Sequence, residues 1–243
     1  MNYILPFIAL FIFNTIFSQP TITVAAPGES GSYGSIRYND DAALLAKQKN
    51  VTLSYADILG SPFWERDWNP AILVLANNTA VKVEKAKLNL YTGEIHFMNA
   101  KNIEMTADKK DIVKAIFFKN SDTTKVLGTF ELQLDIIKSS DICYYRVLNK
   151  GETKLLEQKT AYIKQGDYNA LTGKNDQSFF TKTSYAVLHN NNLSYLPSLN
   201  QPNIISILSP TPEMIEWIKL NKYKLRTESE VVSFLNYYNS VKK

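Results

Sequence analysis

From Pro70 to Pro197 apolar and polar residues follow a period of two, as expected of strands with one face buried and one wet. A short apolar run, Ala71-Ile72-Leu73-Val74-Leu75-Ala76, is followed by Asn77-Asn78 and then Val81-Lys82-Val83. Leu88-Asn89-Leu90-Tyr91 and Glu94-Ile95-His96-Phe97 flank Thr92-Gly93, which predicts a tight hairpin with the glycine at positive φ. Ile112 to Phe118 is a further apolar run. The cleanest alternation is Phe130-Glu131-Leu132-Gln133-Leu134-Asp135-Ile136. Two more hairpins are predicted at Asn149-Lys150-Gly151 and Asn190-Asn191-Asn192, each between strand-like runs. The pattern is that of a mainly β (α+β) chain, an antiparallel meander forming a curved sheet, half-barrel or sandwich.

After Pro197 the period lengthens to that of a helix. Ile204, Ile207 and Leu208 form one stripe, and Met214, Trp217 and Ile218 a second, behind Thr211-Pro212 as cap and first helical position. Thr227-Glu228-Ser229-Glu230 is a capping box, followed by the stripe Val231, Phe234, Leu235 and Tyr238. Helices this short are not stable alone in water, so their stripes must dock, and the preceding β-region is the surface on offer.

The opposite end reads as an address. Ile4 to Phe17 is nearly all apolar but shorter than the roughly 18–20 residues of a membrane-spanning helix. Small and polar residues follow, Ser18-Gln19-Pro20, which is the shape of a secretory signal peptide ending at Ser18. A buried N-terminal helix or an uncleaved anchor is the alternative. The expected organisation is a signal peptide over 1–18 and a loosely structured segment over 19–59, with a short helix within Asp40 to Lys49. An antiparallel β-region over 60–197 and a helical appendage over 198–243 complete it. The mature chain is expected to be exported and to carry no transmembrane helix.

Composition narrows the chemistry. The chain of 243 residues is 45% hydrophobic and 21% charged, as a globular domain is, and its net charge of +4 comes without a dense basic run, so nucleic acid is not an expected partner. One cysteine, Cys143, excludes an internal disulfide and a multi-thiolate metal site, and reads as an inert thiol. His96 and His189 lie in separate hairpins and read as surface or internally satisfied side chains; no metal and no cofactor is expected. Asp40-Asp41 and Glu65-Arg66-Asp67 are the carboxylate clusters one would try for glycoside hydrolysis, which needs two acids about 5–10 Å apart across a bond. Adjacent acids more often belong to caps and turns. With no phosphate loop, nucleophile elbow or metalloprotease motif, no catalytic residue is assigned.

The stretch Phe63-Trp64-Glu65-Arg66-Asp67-Trp68 stands out. Phe63, Trp64, Arg66 and Trp68 are candidate binding residues, as a sugar-stacking platform or a partner hot spot. The competing reading has both tryptophans covering apolar strand residues such as Ile72 and Val74 at one end of the sheet.

The order of features resembles a group of exported, signal-peptide-bearing proteins of Bacteroidota whose function is unknown. The residues that carry the resemblance are Gly60-Ser61-Pro62-Phe63, Trp68-Asn69-Pro70-Ala71, Ile215-Glu216-Trp217-Ile218-Lys219-Leu220-Asn221-Lys222 and Phe234-Leu235-Asn236-Tyr237-Tyr238. The resemblance implies an envelope location and supplies no activity. In that setting Asp122-Thr123-Thr124 resembles an O-glycosylation signal with Thr123 as the acceptor; a polar turn explains the same residues. The function expected is non-catalytic binding of another envelope protein or a surface glycan. The alternatives are a carrier holding an apolar ligand in its curved sheet and, less favoured, a glycan-acting enzyme.

Overall fold

The computed structural model describes residues 36–38, 55, 58–99, 102–107, 109–119, 122–133, 143–169 and 173–242. The signal peptide and the helix expected within Asp40 to Lys49 lie outside the described residues. The chain is mainly β: a large, open, mostly antiparallel sheet followed by three helices. The strands are β1 (Ile36–Tyr38), β2 (Ile58–Leu59), β3 (Asn69–Leu75), β4 (Ala80–Asn89), β5 (Glu94–Met98) and β6 (Glu104–Ala107). They continue with β7 (Ile112–Lys119), β8 (Asp122–Leu132), β9 (Tyr144–Val147), β10 (Lys154–Asn169), β11 (Lys174–His189) and β12 (Asn192–Leu196).

The meander is double rather than single. The order β1-β6-β5-β4-β3-β7-β8-β9-β10-β11-β12 shows β3 to β6 laid down in one direction, after which β7 returns to the free side of β3 and the chain proceeds in the other. The apolar run of β3 earns this central place, since Ala71 and Leu73 are buried between Val83 and Val81 on one side and Phe117 and Ala115 on the other. The segment before Gly60, expected to be loose, adds β1 to one edge and β2, in parallel, to β11. The alternation expected to run to Ile136 supports β8 only to Leu132, and residues 134–142 lie outside the described ones.

The sheet curls. Ala161 of β10 gives its N–H to the carbonyl of Leu90, at the end of β4, at 3.0 Å. Five places separate these strands in the order, so a flat sheet would hold them roughly 24 Å apart at about 4.8 Å per strand. The closure gathers Ala71, Leu73, Leu88, Ile95, Met105, Phe117, Phe130 and Ala161 into one core.

The helices are α1 (Gln201–Leu208), α2 (Pro212–Leu220) and α3 (Glu228–Val241). Asn200 caps α1 by accepting the Asn203 N–H at 2.9 Å, and Thr227 caps α3 by accepting from Glu230 at 3.3 Å. Glu230 returns the favour to the N–H of Arg226 at 2.9 Å, one residue earlier than an ideal box. Thr211 makes no such capping bond to α2. The stripes converge as expected on Leu155, Val187 and Leu196 in a second core, except that Ile207 and Trp217 stay partly exposed, Trp217 stacking on Tyr237 with centroids 4.5 Å apart.

A side-chain clip ties α3 to the turn between β9 and β10. Asn239 accepts the Thr153 N–H at 3.0 Å and donates to the Thr153 carbonyl at 2.9 Å, while Gly151 passes beneath it with φ at 119°. A Cβ on Gly151 would lie 2.4 Å from the Asn239 amide nitrogen. Gly151→Ala combines a glycine-only conformation with that clash and should destabilise the fold by about 1–3 kcal/mol in urea unfolding. An unchanged midpoint would show that the turn can rearrange.

Candidate functional site

The Phe63–Trp68 stretch crosses the open end of β4. Phe63 bridges Asn89, and Trp64 gives its N–H to the Leu88 carbonyl at 2.9 Å. That pairing turns Trp64 away from the two ends of the stretch. Trp64 goes inward, partly buried against Phe130 at 4.8 Å and Phe117 at 5.8 Å between ring centroids. These residues share the face of Ala71 and Leu73, so the ring does not cover Ile72 and Val74, which point to the other side. Phe63 and Trp68 are instead brought together by a cation: the Lys87 ammonium lies 5.1 Å from the first ring and 4.7 Å from the second. Arg66 is exposed, as are Glu65 and Asp67, and it forms no ion pair among the described residues.

Behind Phe63 stands His96, 5.3 Å away edge-to-face. Sequence alternation placed His96 opposite Ile95 and Phe97, and that opposite face is covered, leaving the imidazole only 5% exposed. Its Nδ1 meets Glu104 Oε1 at 2.7 Å and its Nε2 meets the Asn89 amide at 3.4 Å. With Nδ1 protonated, the ring donates to the carboxylate and accepts from Asn89, which also donates to the Tyr55 hydroxyl at 3.3 Å. His189 is a separate, satisfied side chain, 3.0 Å from the Thr153 hydroxyl; burial, then Lys242, lowers its pKa. Cys143 is a free thiol whose sulfur accepts from Gln158 at 3.0 Å. No group of metal-binding side chains assembles among the described residues. Thr123 has its backbone in β8, beside an Asp122 carboxylate that accepts from the Thr124 N–H at 3.0 Å.

The inner face between the two cores is polar. Arg146 holds Glu157 and reaches Glu228, at the first turn of α3, at 3.4 Å, and Tyr185 donates to the same carboxylate at 2.8 Å. Burial and the Glu228 charge push the Tyr185 pKa up to about 12. Both carboxylates are consumed by Arg146, which makes this a clamp between helix and sheet rather than an acid–base pair.

No protein-family model, curated protein or solved structure matches this chain.

Two openly presented aromatic side chains were not singled out by sequence. Tyr162 and Phe180, directly opposite each other on β10 and β11, are 47% and 44% exposed. Their rings stack, centroids 6.1 Å apart and planes 29° from parallel, with the Lys164 ammonium 5.6 Å from the Phe180 centroid. Gln158, Thr160, Lys182 and Ser184 share this face. The available signal was Tyr162-Ile163-Lys164 alternating towards a polar stretch, through which β10 continues to Asn169.

Proposed function

We propose that the protein is a non-catalytic, exported envelope protein that binds a surface glycan on the outer face of its longest hairpin. The observation that carries this reading is the Tyr162–Phe180 pair, two exposed, stacked rings held 29° from parallel by strand pairing. A pyranose presents a face of C–H bonds that fits against the electron-rich face of such rings. The Lys164 ammonium and the Thr160 hydroxyl beside them supply donors and an acceptor for hydroxyl groups. Strand pairing fixes the rings before any ligand arrives, which reduces the ordering cost of binding.

Export rests on the apolar run before Ser18 and on the resemblance in sequence; no described helix is long and apolar enough to span a membrane. Carriage of an apolar ligand in the curved sheet is the second reading, favoured by the apolar cluster on the inner face around Phe117 and Phe130. Against it, those residues are already in contact with one another and with Trp64, leaving the ligand to displace them.

The test is affinity electrophoresis of the mature protein, purified from an envelope fraction and beginning near Gln19, through gels containing β-glucan or α-mannan. We expect retardation by at least one polysaccharide, lost in the Tyr162→Ala/Phe180→Ala double variant while its melting curve stays that of wild type. Equal migration of variant and wild type would overturn the reading.

A further inference from the structure

The same hairpin has an incomplete edge. β12 pairs with β11 only from Tyr185 to His189, and β2 reaches it only at Gln177 and Ser178. Between them Thr181, Lys182 and Thr183 are exposed, with β10 on one side and no strand on the other among the described residues.

The direction of the backbone groups in this gap follows from the turn. Asn190 and Asn191, with φ of 49° and 57°, form a two-residue hairpin closed by His189 and Asn192. Such a closing pair exchanges both hydrogen bonds, so alternation aims the N–H and C=O of Val187 and Tyr185 at β12. Continued along the strand, it aims those of Thr183 and Thr181 into the gap. Ala161 agrees: it stands opposite Thr181, and its N–H is given away from β11, to Leu90. Two donors and two acceptors are thus presented at strand spacing with no described partner.

A groove of about 890 Å³ lies along this edge, lined by Thr183, Ser184 and Tyr185 on the strand and by Arg226, Thr227 and Glu228 at the start of α3. Its charges are unevenly spent. Glu228 is held by Arg146 and Tyr185, and Glu230 takes the Arg226 N–H. Lys182 and Arg226, both lining the groove, form no ion pair among the described residues.

We infer that the β11 edge from Thr181 to Ser184 docks an extended, acidic segment of a partner protein, which adds as a strand in the space between β12 and β2. Main-chain bonds to Thr181 and Thr183 supply attachment, and Lys182 and Arg226, without a described ion pair, select carboxylates. A second copy of this chain fits poorly, because antiparallel pairing of two such edges sets Lys182 near Lys182, and like charges across a strand pair repel. The inference rests on the reading of the protein as a binding module but uses the open edge of β11 rather than the ring pair.

The test is fluorescence anisotropy of two labelled ten-residue peptides, alternating Val-Glu and alternating Val-Lys, against the full chain. We expect the acidic peptide to bind at least tenfold more tightly than the basic one and to slow amide exchange at Thr181 and Thr183. Thr183→Pro removes an outward N–H without touching the β10 ladder and should weaken binding at least tenfold. Lys182→Glu/Arg226→Glu keeps every backbone group and should reverse the peptide preference, which covers the case of a proline variant that does not fold. Tyr162→Ala/Phe180→Ala should bind the acidic peptide as wild type does, so failure of the glycan reading leaves this result standing. Absence of binding, equal affinity for both peptides, or exchange unchanged at the two threonines would overturn the inference. So would a dimer in sedimentation velocity that Thr183→Pro dissolves, since the occupant would then be a second copy.

Discussion

Replacing Phe234 by alanine is expected to lower stability by about 3–5 kcal/mol, the range for deleting a ring from a filled core. Phe234 is fully buried in the middle of α3, where it touches the edge of Tyr238 at 6.1 Å and lies 6.2 Å from Trp217 between ring centroids. It therefore joins α3 to α2, and its neighbours Leu235 and Val231 join α3 to Leu155 and Val187 of the sheet. The cavity cannot close by a helix shift, because Asn239 pins the end of α3 to Thr153 and Glu228 pins its start to Arg146. The measurement is urea unfolding followed by far-ultraviolet circular dichroism. At roughly 2–4 °C per kcal/mol for a chain of this size, the melting temperature should also fall by about 6–20 °C. An unchanged midpoint would mean that the three helices contribute nothing to the cooperative unit.

The helical C-terminus was legible in the sequence because its signals are local. A capping box and a stripe at 3.6-residue spacing settle where α3 starts and which face it buries, with no knowledge of the partner surface. Hairpins were legible for the same reason: Asn190-Asn191 fixes its own turn, and Gly93 and Gly151 do take positive φ. Strand order was not. The return of β7 to the free side of β3, four strands later, depends on which apolar faces meet across the sheet. No window of residues contains that information. The candidate site divides likewise. The tryptophans announced themselves by composition, yet Trp64 and Trp68 part company because Phe63 pairs with Asn89, a contact over a long stretch of chain. Tyr162 and Phe180 were two aromatics among fourteen tyrosines and twelve phenylalanines until the register of β10 on β11 set them opposite each other.

The second large effect is expected at Trp64, for which alanine should cost about 3–5 kcal/mol. The indole lies on the inner face of the curled sheet, where its far edge rests on Gly128 and its flank on Phe130. Gly128 stands opposite Phe117 in β8, and the absence of a side chain there is what admits the ring, since a Cβ would come within 2.9 Å of the indole. The pair therefore predicts a linked result. Gly128→Ala should destabilise the fold by about 1–3 kcal/mol in wild type, because an extra methyl in a packed core forces neighbours off their rotamers. In the Trp64→Ala background the same methyl enters a void and should cost little or stabilise, so the double-mutant cycle should show a coupling of about 1–3 kcal/mol. Both single variants and the double variant are to be compared by urea midpoint. Additive effects would separate the two residues and leave Trp64 free to serve, with Phe63, Lys87 and Trp68, as part of a binding surface. Coupling would fix Trp64 as the plug of the first core and leave recognition to the hairpin of β10 and β11.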